Sequence, residues 1–146
     1  MTTAADTAGD QYGDPELMAR LLTQAPVWAV VGLSMNSRRA AYGVAEVLQR
    51  KGRTIMPIHP KAEQVHGATG YPRLADVPVP IDVVDCFVNS SRVGAVVDDA
   101  IAVGAKAVWL QLDVIDHAAA ARAVAAGLDV VMDRCPAIEG PRLGVW

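Results

Sequence analysis

The residues best suited to chemistry are hydrogen-bond donors gathered in one loop, which reads G-L-S-M-N-S-R-R-A-A-Y-G over residues 32–43. An apolar run, Val27–Val31, precedes the loop, and a segment with helical periodicity follows it. Donor groups before a helix N-terminus suit a diphosphate, because that end of a helix carries partial positive charge. We therefore predict a phosphate-binding turn beginning at Gly32, with Gly43 opening the helix. Ser34 replaces the second glycine of the pattern GxGxxG, so an ordinary strand-to-helix turn is the alternative.

A second candidate group lies at the end of the next predicted strand, where the chain reads Pro57-Ile58-His59-Pro60-Lys61. An NAD-binding protein usually has an acid here that binds the ribose hydroxyls, whereas the first carboxylate of this segment is Glu63. A basic or imidazole-bearing strand end favours a ribose with an extra phosphate, as in NADP or coenzyme A. The two prolines stiffen the segment, so we expect a directed contact from Lys61; an ordinary solvated lysine is the alternative.

Two cysteines and three histidines complete the set of reactive side chains. Cys86 lies within an apolar run and is expected in the core. Cys135 follows Arg134, a neighbour that favours the thiolate. Its alternatives are a structural cysteine in a turn and a thiol that joins a thiol-bearing cofactor in a mixed disulfide. The histidines are scattered and no cysteine lies at metal-ligand spacing, so no metal site is predicted.

Apolar runs separated by glycines, prolines and caps predict the elements that position these groups. Strands are predicted at 27–31, 54–58, 83–88, 107–112 and 130–132, and the main helices at 15–24, 43–50, 92–103 and 116–127. This alternation favours an α/β fold with a Rossmann-like, doubly wound parallel sheet. By analogy with other mononucleotide-binding halves, we expect the order 3-2-1-4-5, with the ligand outside the carboxyl ends of the strands.

The amino-acid composition and net charge favour some classes of protein and exclude others. Hydrophobic residues make up 52% of the 146 residues but aromatic residues only 5%, which suits a parallel sheet covered by Ala-rich helices. The net charge of −3 argues against a nucleic-acid surface. No apolar run approaches the roughly 20 residues that span a bilayer, and no secretory signal is visible, so a cytoplasmic protein is expected. We expect a disordered segment over residues 1–13 and a single domain over residues 14–146.

Several motifs in order resemble one known family, the small stand-alone coenzyme A-binding proteins, which are similar to the N-terminal domain of the succinyl-CoA synthetase alpha subunit. The matching pieces are VVGLSMNSRRAAYGVAEVL, IMPIHP, YPRLADVP, VVDCFV, GAKAVWLQL and GLDVVMDRCP. The resemblance covers about residues 14–143 and implies a Rossmann-like fold that binds coenzyme A.

The resemblance also implies which residues hold the ligand. The loop Gly32–Gly43, with Ser34, Arg39 and Tyr42, would hold the pyrophosphate. Pro57, His59, Pro60 and Lys61 would flank the adenosine and its 3′-phosphate. Val88 and Asn89 would border the adenine or ribose, while Trp109 and Gln111 would lie near the pantetheine.

The sequence departs from the family at two of these places, and we expect no counterpart of one of the ligase's domains. His59-Pro60 stands where the family usually has Asn-Pro, and Met35 where a proline is common. The domain that carries the ligase's phosphorylated histidine has no counterpart. We therefore expect a protein that binds coenzyme A, or an acyl-CoA, without catalysis of its own. A protein partner or a homo-oligomer stays open.

Three alternatives remain at this point. An NADP-dependent reductase shares the basic strand end, although no tyrosine has a lysine four residues on. A thiol switch would join Cys135 to coenzyme A in a mixed disulfide. A purely structural domain would bind no nucleotide.

Overall fold

Apolar runs that end at glycine, proline or a polar turn form the five strands of the computed structural model, which describes residues 11–146. The strands are β1 (Val27–Val31), β2 (Thr54–Ile58), β3 (Val83–Cys86), β4 (Ala107–Leu110) and β5 (Asp129–Val131). The helices of this range are α1 (Pro15–Gln24), α2 (Ala40–Arg50), α3 (Ser90–Ala102), α4 (His117–Ala125) and α5 (Pro136–Arg142). A 3-10 turn, Leu74–Asp76, lies between β2 and β3.

All neighbouring strands are parallel, and the sheet has the order β2-β1-β3-β4-β5. The predicted α/β class and doubly wound parallel sheet are confirmed. The predicted order 3-2-1-4-5 is wrong, because β3 pairs with β1 rather than with the outer side of β2. In the observed order the direction of winding reverses between β1 and β3, so the switch point lies at their carboxyl ends.

Pro57 gives a physical reason for this order. In register, Pro57 lies opposite Val30 of β1. Its carbonyl accepts a hydrogen bond of 2.9 Å from the N–H of Tyr71, on the side away from β1. The N–H and C=O of one strand residue point to the same side, so the proline nitrogen faces outward, where it cannot donate to a further strand. β2 is therefore an edge strand.

The helices form two layers on the sheet, each over its own apolar core. One layer comprises α1, α2 and α5, and it packs on the face that carries Trp28, Val30 and Trp109. The other comprises α3 and α4 and packs on the face that carries Ala29, Val84 and Val108. The loops at the carboxyl edge of the sheet therefore come from both layers.

Two helix starts follow the sequence prediction. Asp14 caps α1 by accepting the N–H of Glu16 at 3.0 Å, and Asp116 caps α4 by accepting the N–H of Ala119 at 2.9 Å. Side-chain acceptors of this kind satisfy amides that have no partner within the helix.

The start of α2 differs from the prediction, since the helix begins at Ala40 and already includes Gly43. The cause is a turn before it, in which the N–H of Arg39 donates to the carbonyl of Asn36 at 3.1 Å. Gly43 is exposed, and a Cβ placed there would meet nothing within 4 Å. No close approach requires this glycine.

Residues near both ends of the described range form hydrogen bonds with the rest of the fold. The segment after β5, predicted as a Pro- and Gly-rich tail, contains α5, and the indole N–H of Trp146 donates to the carbonyl of Leu22 at 3.1 Å. The backbone carbonyl of Tyr12 accepts the N–H of Met132 at 3.0 Å, next to β5. The prediction of disorder stays a prediction for residues 1–10, which lie outside the described range.

Candidate functional site

A cavity of about 990 Å³ lies at the carboxyl edge of the sheet, over the switch point between β1 and β3. Every loop that leaves the carboxyl end of a strand contributes to its wall. The residues predicted from the sequence that line it are Gly32, Ser34, Arg39, His59, Pro60, Val88, Asn89, Gln111 and Cys135. The structure therefore brings most of the predicted set together around one space.

Gly32 allows the chain to turn out of β1 beside β3. Its φ is +97°, a conformation that residues with a side chain rarely adopt. A Cβ at this position would lie 2.5 Å from the carbonyl oxygen of Phe87. Its N–H donates to the carbonyl of Ile58 at 2.8 Å. Gly32 thus holds the ends of β1, β2 and β3 together under the cavity.

The loop after Gly32 satisfies many of its own amides. Ser34 Oγ accepts the N–H of Asn36 at 3.2 Å, Asn36 Oδ1 accepts the N–H of Arg38 at 3.1 Å, and Glu63 Oε1 accepts the N–H of Met35 at 3.2 Å. These bonds fix the loop before any ligand arrives. They leave the start of α2 as the donor end that faces the cavity.

Two helix N-termini border the cavity without a side-chain cap. Arg39 precedes α2 and Asn89 precedes α3, and neither side chain accepts a hydrogen bond from its helix. Neither helix has an acidic residue in its first turn. Both ends therefore present partial positive charge to the same space.

The cavity also has lining residues that the sequence analysis missed, among them Pro72, Arg92, Val96 and Asp99. The last three lie on one face of α3, at spacings of four and three residues, which is the helical repeat. Arg92 could have been identified from the sequence. A cation in the first turn of a helix opposes the helix dipole, so its presence there indicates a role other than stabilising the helix.

The end of β2 contributes an imidazole rather than an ammonium group. His59 lines the cavity, and its Nδ1 accepts the N–H of Lys61 at 3.1 Å. This bond places the proton of the neutral ring on Nε2, which is then a donor. The Lys61 side chain is exposed and does not line the cavity, while Pro57 is buried within β2.

Three further predicted residues lie outside the lining. Tyr42 packs its ring against that of His66, with the centroids 4.4 Å apart, and Gly43 is exposed. Trp109 is fully buried against Trp28, with ring centroids 5.6 Å apart, and its indole N–H donates to the carbonyl of Arg134 at 2.9 Å. Any role of Trp109 at the site is therefore exerted through the residues around it.

Gln111 is the most buried polar residue in the cavity wall, with 6% of its surface exposed. Its Oε1 has no hydrogen-bond partner within the described part of the chain. An acceptor that is buried without a donor costs free energy. A ligand N–H or O–H at this position would remove that cost.

The two cysteines lie in different surroundings. Cys86 is fully buried in β3, away from the cavity, and burial together with neighbouring Asp85 raises the pKa of its thiol. Cys135 lines the cavity and precedes α5. Of the two cysteines, only Cys135 therefore lines the cavity.

Residues 11–146 offer neither a metal site nor a membrane-spanning helix. No described group of three or more His, Cys, Asp or Glu side chains is arranged to hold a metal ion. None of the helices in this range has the length and apolar character needed to cross a membrane.

Comparisons with known proteins agree with this geometry. A family model described as a CoA binding domain matches residues 26–141. A hypothetical protein from Pyrococcus horikoshii is 37% identical, with a TM-score of 0.85 over 89% of this chain and 92% of that one. The uncharacterized protein YneT of Bacillus subtilis is 29% identical over 107 residues, which span 73% of this chain and 79% of that protein.

A larger protein contains a similar unit. An acetyl-coenzyme A synthetase of Ca. Korarchaeum cryptofilum, solved with phosphate and ADP, is 25% identical, with a TM-score of 0.68. The match covers 80% of this chain but only 27% of the synthetase. The fold described above thus occurs both as a small protein and as one part of a larger one.

Proposed function

The chain belongs to the CoA binding domain family, and from that premise we propose that it binds coenzyme A, or an acyl-CoA, in the cavity at the carboxyl edge of its sheet. Its function in this proposal is recognition, without catalysis of its own. The observation that carries the proposal is the pair of uncapped helix N-termini, of α2 and α3, which border one cavity together with Arg39 and Arg92.

The diphosphate is assigned to the start of α2. Arg39 lines the cavity and forms no side-chain hydrogen bond or ion pair with any residue in the described range, so its guanidinium is available to an anion. Ala40 and Ala41 at the start of α2 line the same cavity, and Gly32 lets the chain turn beneath it. Charge-assisted hydrogen bonds to a diphosphate contribute about 1.5–3 kcal/mol each.

The remaining parts of the ligand extend along the cavity on both sides. We assign the adenosine to the space between His59, Pro60 and the end of β3 at Val88 and Asn89. The pantetheine is assigned to the end near Gln111, whose unpartnered Oε1 suits an amide N–H. Tyr42, Pro57 and Trp109 support these residues from outside the lining, whereas Gly43 is assigned no role.

Calorimetric titration tests the proposal. The ligands are coenzyme A, dephospho-coenzyme A, NADP and NAD, and we expect coenzyme A to bind most tightly. Arg39→Ala should weaken coenzyme A binding by about tenfold or more, because it removes a charge-assisted contact. Lys51→Ala is the matched control: this exposed lysine follows α2 at its other end, so its loss should leave the affinity unchanged.

Other results of the titration would support a different function or a different position of the diphosphate. Preference for NADP would favour the reductase, and a change in nicotinamide absorbance with a carbonyl substrate would then confirm turnover. Binding of none of the four ligands, without any thermal shift, would contradict the proposal and leave a structural domain. Unchanged affinity in Arg39→Ala would exclude the assigned place of the diphosphate.

A second candidate function is a thiol switch at Cys135, which one observation favours: this thiol lines the cavity proposed for coenzyme A. The balanced reaction is an exchange with coenzyme A disulfide. The Cys135 thiolate attacks one sulfur of that disulfide, a protein–coenzyme A disulfide forms, and the other coenzyme A leaves as a thiol.

Intact-mass measurement after incubation with coenzyme A disulfide tests the switch. We expect one coenzyme A adduct, which dithiothreitol removes and which Cys135→Ala lacks. Cys86→Ala is the matched control and should retain the adduct, because Cys86 is buried away from the cavity. An adduct that persists in Cys135→Ala would contradict the assignment.

A further inference from the structure

The cavity has two positive ends on different elements. Arg39 stands before α2, on one helix layer, and Arg92 stands in the first turn of α3, on the other. The two helices pack on opposite faces of the sheet, so each end offers its own place for an anion. Coenzyme A carries two separate anionic groups, the diphosphate and the 3′-phosphate of its ribose.

We propose that Arg92, with the imidazole of His59, binds the ribose 3′-phosphate and sets the preference for coenzyme A over dephospho-coenzyme A. This inference rests on the proposed function. It differs from what the family resemblance implies, in which the segment Pro57–Lys61, with Lys61 as its cation, flanks this phosphate.

The placement of the side chains carries the inference. Arg92 lines the cavity, is exposed, and forms no side-chain hydrogen bond or ion pair within residues 11–146. Lys61 does not line the cavity, and its backbone N–H instead holds the ring of His59 by a bond of 3.1 Å. The ring donor that remains, Nε2–H, suits a phosphate oxygen.

The usual position of the ribose in this type of sheet also supports a 3′-phosphate near His59 and Arg92. In a mononucleotide-binding sheet the ribose lies over the carboxyl end of the second strand, where His59 stands here. α3 starts on the far side of β1 and borders the same cavity. The one lining carboxylate on α3, Asp99, lies about 10 Å along the helix from Arg92 and forms no ion pair with it.

The position of Arg92 on α3 does not stabilise the fold. A cation in the first turn opposes the helix dipole, and α3 has no acid there to offset it. The thermal midpoint of the ligand-free Arg92→Ala variant should therefore equal or exceed that of the wild type. This readout separates a binding role from a structural one.

Calorimetric titration of coenzyme A and dephospho-coenzyme A tests the inference in the wild type, Arg92→Ala, Arg92→Lys, Lys61→Ala and Lys51→Ala. Arg92→Ala should weaken coenzyme A binding by about ten- to a hundredfold and leave dephospho-coenzyme A nearly unchanged, so that the preference disappears. Arg92→Lys should retain part of the preference. Lys61→Ala and Lys51→Ala should retain all of it.

Several results would overturn the inference while leaving the proposed function intact. Equal weakening of both ligands in Arg92→Ala would place Arg92 at the diphosphate. A preference that is lost in Lys61→Ala, or that the wild type never shows, would exclude Arg92 as its source. Failure of the wild type to bind either ligand would instead remove the proposed function itself.

Discussion

Two aspartates of neighbouring sequence position show how local surroundings decide what a carboxylate does. Asp82 Oδ2 accepts the N–H of Val27 at 2.9 Å, and its Oδ1 lies 3.2 Å from Lys106 Nζ. Asp85 is fully buried in β3, and neither of its carboxylate oxygens has a hydrogen-bond partner within the described residues. Asp82 therefore ties β3 to β1, whereas Asp85 lowers the stability of the fold in its charged form.

Asp85→Asn should stabilise the protein increasingly as the pH rises. Burial raises the pKa of Asp85 well above its ordinary value of 3.8. The folded state therefore holds a proton that the unfolded state releases, and the wild-type free energy of unfolding falls as the pH rises from about 4 toward the folded pKa. Asparagine carries no such proton. Thermal and urea unfolding between pH 4 and 8 measure the difference.

The difference in free energy of unfolding between Asp85→Asn and the wild type can grow by at most about 1.4 kcal/mol per pH unit. Asp82→Asn is the control, and we expect it to lower the stability without a gain that grows with pH, since it loses its ion pair with Lys106. An Asp85→Asn variant whose stability runs parallel to that of the wild type across this pH range would show that Asp85 is not protonated in the folded state.

At the scale of elements, the sequence predicted the strands well because their apolar runs are short and bounded by turn residues. β1 and β2 have the predicted bounds. β3 and β4 end earlier than predicted, and Val88 and Gln111, which the prediction placed inside these strands, line the cavity. Periodicity reports burial, and it does not distinguish the end of a strand from the apolar wall of a site.

The strand order and part of the site needed information on pairing between distant segments. An analogy with other folds gave the order 3-2-1-4-5, although Pro57 in β2 was a local sign of an edge strand. Arg92 and Asp99 join the site because α3 flanks the switch point, which follows only from the correct order. Lys61 was expected at the ligand from its place in the chain, which does not fix where a side chain lies.

α5 depends on the terminal tryptophan, since a helix of seven residues is too short to be stable alone. The ring of Trp146 packs against Gly140 of α5, and its indole N–H bonds to α1. Trp146→Ala should lower the free energy of unfolding by about 1–3 kcal/mol, because it removes half-buried apolar surface and one hydrogen bond. The midpoint of urea unfolding measures this change.

The matched control lies on the same helix. Ile138 is 50% exposed, so Ile138→Ala should change the stability by less than about 0.5 kcal/mol. Equal midpoints for the two variants would show that the terminus frays and that α5 is held by other contacts.

At the scale of the whole molecule, the cavity joins the two helix layers. α2 belongs to the layer that covers Trp28 and Trp109, and α3 to the layer that covers Val84 and Val108. A ligand that accepts hydrogen bonds from both helix starts therefore links layers that otherwise meet only through the sheet. Its effect on the backbone should be local to the carboxyl edge.

Amide hydrogen exchange with and without coenzyme A tests this arrangement. Exchange should slow at the starts of α2 and α3, at residues 40–41 and 90–91, because a bound phosphate oxygen accepts these N–H groups. The starts of α1 and α4 serve as internal controls, since Asp14 and Asp116 already bond their amides. Equal slowing at all four helix starts would indicate general stabilisation by ligand rather than bonding at the cavity. Slowing at α2 alone would place the diphosphate as proposed but leave α3, and with it Arg92, out of contact with the ligand.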